Sequence, residues 1–515
     1  MLPDNLVGSV RNKYEKPLEI KPEKPVATKE PALNSPASTS NLNEKNFTAD
    51  LQRNLLFRKF EPATFKPTET PAAPIDYFEV DKQADELIKK YTEDGFLWTE
   101  PLNTDGLGKE LSDIAKTDPD RAAALTDNIL DKIDGGDKDE LAQSFTESLS
   151  PSELREFAKT DRGKELLGKL RQHLEDGVTW DDEDATIDRI DTAVKAADYE
   201  KSAEFKALSP EAQKEVLSHL DSYQGNNKAT DNLITLAKNG DFAKLPVETQ
   251  REMLKAFDNN KEDSVFTQGL ITTAGKPEFQ ALNPAQQSQV LGTLDKLADT
   301  ESYKSGGGED DAGRAYLLDH VGDMAMLSAQ DPGNAAISNT LNKVLSGEVK
   351  YEFFSQPSDP KTGGTLFGTN SGNGVLRINI HPDANNDAVW GANKFTDTTV
   401  HELNHQQNQG AEHGTPEQFL NEYRAFYVGV DAIDGAGAPD AATQKGFIDN
   451  LLASYPDIKE LYDNNADFKK FVDNAKAGLD KTPPETLDPE QMRQALLDAG
   501  FDDDYLKKTG NLDNH

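Results

Sequence analysis

The segment "TDTTVHELNHQQNQGAEHGTPEQFLNEYRAFYVGV" (396–430) predicts how the C-terminal part of the chain folds. Its first half predicts a helix on which His401 and His405, four residues apart, lie on one face about one turn from each other. A loop bounded by glycine follows, and the second half predicts another helix that folds back on the first. Four of the eight histidines of the chain fall between residues 381 and 413, which makes this stretch the place to look for a metal site.

The start and the anchoring of the first helix can also be predicted. Residues 397–399, Asp-Thr-Thr, are of the types that cap a helix N-terminus, so we expect the helix to begin there. Val400 and Leu403 fall on the sides away from the two histidines, where they can anchor the helix in a core.

The residues of this stretch form a candidate metal site. His401 and His405 can point at a single ion, and Glu402 can reach a water bound to that ion. Zinc needs a third protein ligand and an open fourth position. The back-folding helix brings Glu422, 17 residues after His405, against the two histidines, and His413 in the loop is the alternative third ligand. A helix whose two histidines face solvent without a metal is the other interpretation.

The sequence resembles the zincin metallopeptidases, and within them the gluzincins, whose third ligand is a glutamate. The residues that carry the resemblance are His401, Glu402, His405 and the pair Asn421–Glu422. The resemblance implies that His401, His405 and Glu422 bind Zn²⁺. It also implies that Glu402 is the general base.

Three further features bear on the site. The resemblance implies that the strand before the histidine helix, residues 374–380, pairs with an extended substrate. Thermolysin-like members have an aspartate four residues after the ligand glutamate to orient the first histidine; here Phe426 takes that position, so the partner of His401 is unidentified. Tyr423 and Tyr427 are candidates to stabilise a transition-state oxyanion, and Tyr423 can instead belong to the core.

Residues 79–345 are predicted to be helical, because Ala, Leu, Glu, Lys and Gln recur at helical spacing between Ser-Pro, Asn-Pro and Gly breaks. Within them lies an internal repeat with a period of 37 residues. Its clearest units are "FKALSPEAQKEVL" (205–217), "FAKLPVETQREML" (242–254) and "FQALNPAQQSQVL" (279–291). Each unit predicts a helix pair that stacks on its neighbours, either as a surface for a partner or as a structural stalk whose Phe and Leu form the core.

Residues 1–78 form the predicted leader. The first 75 residues hold 10 of the 27 prolines and carry 11 Lys or Arg against 9 Asp or Glu, a composition that predicts disorder. Within the leader, "FTADLQRNLLFRKF" (47–60) predicts a short helix that docks on a partner protein or an export chaperone, or that packs on its own protein.

Two strands are predicted after the helical region. They are "EVKYEFFS" (348–355) and "NGVLRINI" (373–380), and the Gly-rich segment between them reads as a connection. In the second strand one face is expected to be buried, because apolar and polar residues alternate as Leu376, Arg377, Ile378, Asn379 and Ile380.

These elements define the predicted organisation of the chain. The fold class is mainly α with a smaller α+β domain. The helical repeats are followed by a zincin-like metallopeptidase domain at residues 346–480, and by a C-terminal helical tail at residues 481–515.

Composition excludes several classes of protein. The formal net charge of −37 repels phosphates and argues against a nucleic-acid partner. No segment has the roughly 18 apolar residues of a membrane-spanning helix, and the absence of cysteine excludes disulfides and thiolate zinc sites. Residues 1–25 lack the apolar core of a secretory signal, so we expect a protein that is cytoplasmic or exported without a cleaved signal peptide.

Together these observations predict a zinc-dependent metallopeptidase that acts on a protein or peptide, with Glu402 as general base. The leader, the absent cysteine and the helical repeats favour a bacterial effector or toxin that is secreted or injected. Two alternatives remain open. One is a helical-repeat interaction scaffold with an inactive zincin-like domain, and the other is a zinc amidase that acts on a non-protein amide such as a peptidoglycan stem peptide.

Overall fold

α-Helices make up most of the described chain, and a small sheet accompanies them, so the predicted fold class is confirmed at that level. The computed structural model describes residues 75–92, 102–176, 181–308, 310–358, 365–371, 374–384, 393–407, 411–434 and 438–501. The predicted leader up to residue 74, with its helix at 47–60, and the predicted tail after residue 501 lie outside them. From Phe78 onward the described residues belong to one compact unit; of a second unit, residues 13–77, only residues 75–77 are described. The predicted domain boundaries remain predictions.

The helical part begins many of its helices with a side-chain cap. Ser150 Oγ accepts a hydrogen bond from the Glu153 backbone N–H, and the Glu153 carboxylate accepts one from the Ser150 N–H, so two otherwise unpaired donors are satisfied together. Asn283 and Gln286 make the same reciprocal pair. The helices are α1 Tyr77–Tyr91, α2 Thr104–Ala115, α3 Pro119–Leu130, α4 Gly135–Glu147, α5 Pro151–Lys159, α6 Asp161–Asp176, α7 Asp181–Lys201, α8 Ala203–Ala207, α9 Pro210–Ser222, α10 Asn227–Ala237, α11 Gly240–Lys244, α12 Val247–Asn259, α13 Ser264–Gly275, α14 Pro277–Ala281, α15 Pro284–Ala298, α16 Glu301–Lys304, α17 Asp310–Gln330 and α18 Ala335–Leu345.

The three repeat units have the same local structure. The short helices α8, α11 and α14 begin at Ala203, Gly240 and Pro277, at the 37-residue spacing of the sequence motif. A longer helix follows each of them, and α9 packs on α12, which packs on α15. The recurring aromatic and leucine side chains are buried, namely Phe205, Phe242, Phe279, Leu208, Leu245 and Leu282. The assignment of these units to a stacked repeat array remains a prediction.

In two of the three units, a buried glutamine side chain hydrogen-bonds to the backbone of the short helix before it. Gln250 Nε2 donates to the carbonyl of Phe242 over 3.0 Å, and Gln287 Nε2 donates to the carbonyl of Phe279 over 3.0 Å. Thr249 Oγ1 donates to Gln287 Oε1 over 2.6 Å, which links one unit to the next. Each of these two glutamines therefore adds a side-chain hydrogen bond to a carbonyl that also accepts one from a backbone N–H three residues later.

The sheet has three strands in the order β1-β3-β2: β1 Lys350–Phe354, β2 Gly368–Asn370 and β3 Val375–Asn379. The two predicted strands correspond to β1 and β3, and the segment predicted to be only a connection contains β2. β3 pairs in parallel with β1 and antiparallel with β2. Because the central strand has its backbone groups paired on both sides, the expectation that residues 374–380 pair with a substrate is wrong.

The alternation expected in β3 breaks at Asn379, which is buried although it was predicted to lie on the exposed face. Its Nδ2 donates to the carbonyls of Gln356 and Leu366 over 2.8 and 2.7 Å. Its Oδ1 accepts a hydrogen bond from the Gln356 N–H over 3.0 Å. These bonds replace its hydration, so a polar residue can be buried at the end of the strand.

The C-terminal part continues with helices, of which the first carries the two histidines. They are α19 Lys394–Gln407, α20 Pro416–Asp434, α21 Ala441–Ser454, α22 Pro456–Asn464, α23 Ala466–Leu479 and α24 Pro489–Asp498. α19 starts at Lys394, so the predicted cap at residues 397–399 is wrong. Lys394 Nζ lies 2.7 Å from the Asp397 carboxylate, within the first turn, and the buried Phe395 fastens this turn to the core. An acidic residue suits the first turn of a helix as well as its cap.

Two hydrophobic cores meet at α20. The first runs from α7 to α20 and includes Val400 and Leu403 of α19, which confirms their predicted role as anchors. The second is formed by α20 to α24. α20 contributes Val428 to the first core and Phe419 to the second, so it joins the histidine helix to the C-terminal helices. None of the described helices has the length and apolarity to cross a membrane.

Candidate metal centre

Two histidines and one glutamate converge where α19 packs against α20. His401 and His405 lie one turn apart on α19, and their Nε2 atoms are 3.1 Å from each other. Oε2 of Glu422, on α20, lies 3.6 Å from Nε2 of His401 and 3.4 Å from Nε2 of His405. Helical spacing brings the two histidines together, and the packing of the two helices adds the carboxylate.

The spacing of these three atoms matches what a metal ion requires. Zinc–ligand bonds of about 2.0–2.1 Å at tetrahedral angles place two donor atoms about 3.3 Å apart. The three observed separations range from 3.1 to 3.6 Å. Two imidazoles and one carboxylate are also a donor set of catalytic zinc sites, in which a fourth position stays open for water. His401, His405 and Glu422 therefore fit a zinc ion.

Glu402 faces a small cavity beside the ligand atoms. The cavity has a volume of about 30 Å³, room for about one water molecule, and its lining includes His401, Phe426 and Tyr455. Glu402 is only 5 % exposed, and its Oε2 has no hydrogen-bond partner among the described residues. Burial raises the pKa of the Glu402 carboxyl despite the opposing effect of the histidines. This oxygen is therefore placed to accept a proton from a water in the cavity.

The ligand residues are also coupled electrostatically. Burial disfavours the ionised form of Glu422, but His405 and His401 outweigh it and hold the pKa of this carboxyl well below its usual range. Burial likewise disfavours a charged His405, yet Glu422 raises the pKa of this imidazole to about 9. Because a metal ion binds the neutral imidazole, binding must displace a proton from this pair.

Tyr455, which no sequence motif singles out, completes the site. Its hydroxyl donates to Oε2 of Glu422 over 2.8 Å, and the residue is only 3 % exposed. Burial, with the nearby carboxylate, raises the pKa of Tyr455 well above its usual range, so the hydroxyl stays a donor at neutral pH. The residue lies at the junction of α21 and α22, 33 positions after Glu422, where no helical or strand periodicity relates the two.

The structure does not bring the two predicted tyrosines to the ligand atoms. Tyr423 is fully buried, and its hydroxyl donates to the carbonyl of Leu487 over 2.8 Å and to Gln444 Oε1 over 3.2 Å. Tyr427 lines a separate cavity. Side chains of a helix rotate by about 100° per residue, so neither tyrosine shares the face of Glu422. The interpretation of Tyr423 as a core residue agrees with this position.

Two further residues from the sequence analysis are His413 and Phe426. Of these, only Phe426 contacts a candidate ligand. His413, the alternative third ligand, lies apart from the two histidines: its Nδ1 is 3.4 Å from Asp457 Oδ2, and its side chain is 54 % exposed. Phe426 contacts His401 edge to face, with ring centroids 4.7 Å apart at 64°. Phe426 occupies the position at which thermolysin-like members have an aspartate. Its aromatic contact therefore restricts the orientation of the His401 ring.

A second group of metal-ligating side chains on α17 already has its charge compensated. Asp319, His320 and Asp323 have side-chain atoms within 4.8 Å of one another. Lys276 Nζ lies 2.6 Å from the Asp319 carboxylate and also contacts Asp323. His320 stacks on Phe395 of α19, with ring centroids 5.2 Å apart at 20°. An ammonium group between the two carboxylates does what a metal ion would do, so we interpret this group as structural.

Comparisons with known protein families, with curated proteins and with solved structures find no match to this chain. The resemblance to the zincins therefore remains a hypothesis that rests on the residues of the site.

Proposed function

We propose that the protein is a zinc-dependent metallopeptidase whose zinc is held by His401, His405 and Glu422. The observation that carries the proposal is the convergence of their three ligand atoms, 3.1–3.6 Å apart, beside a Glu402 carboxylate oxygen that has no hydrogen-bond partner in the described part of the chain. An ion that only stabilises the fold needs no base beside it, whereas hydrolysis does. Membership of the zincins is part of this proposal.

Glu402 is the general base in this proposal. When bound, zinc lowers the pKa of a coordinated water and polarises the carbonyl of a peptide bond. Glu402 accepts a proton from the attacking water at Oε2 and then passes it to the leaving amine. The burial that raises the pKa of this carboxyl brings it closer to neutral pH, where a carboxylate can both accept and release a proton.

Tyr455 orients the ligand carboxylate in this proposal. It lines the same cavity as Glu402, and its single hydroxyl proton is donated to Glu422. This bond to Oε2 of Glu422 keeps that carboxylate directed at the histidines.

An extended peptide substrate is assigned to the β2 side of the sheet in this proposal. Leu366 and Phe367, which precede β2, and Gly368, its first residue, line the cavity with Glu402. Among the described strands, β2 pairs only with β3, so its other edge is the one that a peptide backbone could join.

The test combines metal content with turnover of unfolded, fluorescein-labelled casein. We expect about one zinc per chain in the wild type and loss of zinc in His401→Ala and Glu422→Ala. Glu402→Gln should keep its zinc and lose turnover, because the amide cannot accept the proton. His413→Ala is the matched control and should keep both. Normal turnover by Glu402→Gln with zinc bound would refute the proposal.

The same measurements separate the two alternatives. Zinc binding without cleavage of casein or of peptides would favour the interaction scaffold with an inactive zincin-like domain. Cleavage of peptidoglycan stem peptides alone would favour the zinc amidase. Secretion or injection as a bacterial effector, and docking of the leader on an export chaperone, remain predictions.

A further inference from the structure

Strand β2 runs along the histidine helix α19 and contacts it at two points. A Cβ on Gly368 would come within 2.9 Å of Thr398 Cγ2. Two residues later, Asn370 Nδ2 donates to the backbone carbonyl of Glu402 over 2.9 Å. Two strand residues span about 6–7 Å, and one helical turn rises about 5.4 Å. The spacing of the two contacts along β2 therefore matches one turn of α19. The second contact is made to the backbone carbonyl of Glu402, whose side chain is the proposed general base.

Both polar atoms of the Asn370 side chain are used on this helix. Its Oδ1 accepts a hydrogen bond from Gln406 Nε2 over 3.2 Å. Because a backbone carbonyl can only accept, the amide nitrogen must be the atom that faces Glu402, which determines the orientation of the carboxamide. The Glu402 carbonyl has a second lone pair for this bond beside its intrahelical one. The carboxamide therefore bridges two residues that are one helical turn apart.

The bridge holds a side of the helix that the core does not hold. Val400 and Leu403 anchor α19 on its apolar sides, and the helix ends at Gln407, where helices fray. Asn370 restrains this last part from the side of the sheet, and its backbone N–H also faces the Glu402 carboxylate. Asn370 itself does not line the cavity that Glu402 faces.

We propose that Asn370 is a positioning residue for Glu402. Its carboxamide holds the turn from Glu402 to Gln406 against β2, so that the Glu402 carboxylate points into the cavity beside the ligand atoms. This inference rests on the proposed function, because it assigns Glu402 the role of general base. The Asn370 carboxamide is neither a ligand nor a group that contacts the reacting atoms, since its bonds go to the Glu402 carbonyl and to Gln406.

The test compares Asn370→Ala and Asn370→Asp with Thr369→Ala. The Asp variant keeps the acceptor for Gln406 but turns a carboxylate oxygen toward the Glu402 carbonyl, so it separates the hydrogen bond from the bulk of the side chain. Thr369 is the matched control, because neighbouring strand residues point to opposite faces. We expect both Asn370 variants to keep one zinc per chain and to lose about 10- to 100-fold in kcat on labelled casein, with KM changed less than about twofold.

A second measurement does not depend on turnover. In the metal-free protein, hydrogen exchange of the backbone amides of residues 403–407 should be faster in Asn370→Ala than in the wild type and unchanged in Thr369→Ala. Unchanged exchange, unchanged kcat, or loss of zinc in the Asn370 variants would overturn the proposal. If the wild type binds zinc but cleaves nothing, the proposed function fails. The exchange rates then still decide whether Asn370 holds this turn.

Discussion

The hydroxyl of Tyr455 donates a hydrogen bond to Oε2 of Glu422 over 2.8 Å, and the same oxygen faces the Nε2 atoms of His401 and His405. One carboxylate oxygen thus connects the C-terminal helices to the histidine helix. The geometry of the three candidate ligands therefore depends on a residue that is not itself a ligand. This dependence can be measured directly.

Replacing Tyr455 with Phe removes the donor and keeps the ring. We expect the affinity for zinc to fall about 10- to 100-fold, because a ligand carboxylate that loses its outer hydrogen bond is less well oriented. Competition with a chromogenic chelator measures the affinity. Tyr462→Phe is the matched control, since the Tyr462 hydroxyl donates to Asp473 over 2.7 Å. Equal affinities in the Tyr455 variant and the wild type would contradict this role.

The pair of His405 and Glu422 makes the stability of the metal-free protein depend on pH. The pKa of His405 is raised from 6.5 to about 9 on folding, so its contribution is complete below about pH 6.5 and is lost as the pH rises through about 9. The pKa of Glu422 is lowered from 4.5, so its contribution is present above that value and is lost as the pH falls below it. We expect the Tm in the presence of EDTA to fall from pH 6 to pH 9.

Glu422→Gln is the control for this pH dependence. It removes the carboxylate that raises the pKa of His405, so the fall in Tm between pH 6 and pH 9 should be smaller. In the wild type, zinc should raise the Tm more at pH 9 than at pH 6, because a smaller fraction of His405 then carries the proton that zinc has to displace. A fall of the same size in both proteins would argue against the raised pKa.

Gln287 should contribute more to stability than its counterpart Gln213. Gln287 is 1 % exposed and bonds both to the carbonyl of Phe279 and to Thr249 Oγ1. Gln287→Ala leaves both groups buried without this partner, and we expect the free energy of unfolding to fall by about 1–3 kcal/mol. Gln213 makes one bond, to the carbonyl of Leu208, at a partly exposed position, so Gln213→Ala should cost less. Urea denaturation measures both, and equal losses would count against this difference.

A side chain at Gly368 should separate β2 from α19. Its Cβ would come within 2.9 Å of Thr398 Cγ2 and 3.2 Å of the Arg377 carbonyl oxygen. We expect Gly368→Ala to lower the free energy of unfolding by about 1–3 kcal/mol. Gly446→Ala, at an exposed helical position with no atom within 4 Å of the new Cβ, should raise it by about 0.5–1 kcal/mol. Urea denaturation of the two variants should therefore give opposite signs, and a Gly368→Ala protein as stable as the wild type would disprove the close approach.

The histidine helix shows which structural features could be predicted from local sequence pattern and which could not. Its two histidines and its anchors Val400 and Leu403 lie as their spacing predicts, because helical periodicity alone determines which residues share a face. Its start at Lys394 was not predictable in this way. The same residue types suit a cap and a first turn, and the choice between them was made by the burial of Phe395 in the core.

Sequence pattern alone could predict the helical region, the buried Phe and Leu positions of the repeat motif, and the pair His401 and His405. These follow from interactions between residues a few positions apart. The central position of β3, and the presence of Asn370 and Tyr455 at the site, depend instead on tertiary packing. Asn370 lies 32 positions from Glu402, and Tyr455 lies 33 positions from Glu422. No local period relates residues at such separations, so only the packing of the sheet and the C-terminal helices against α19 and α20 brings them into hydrogen-bond distance.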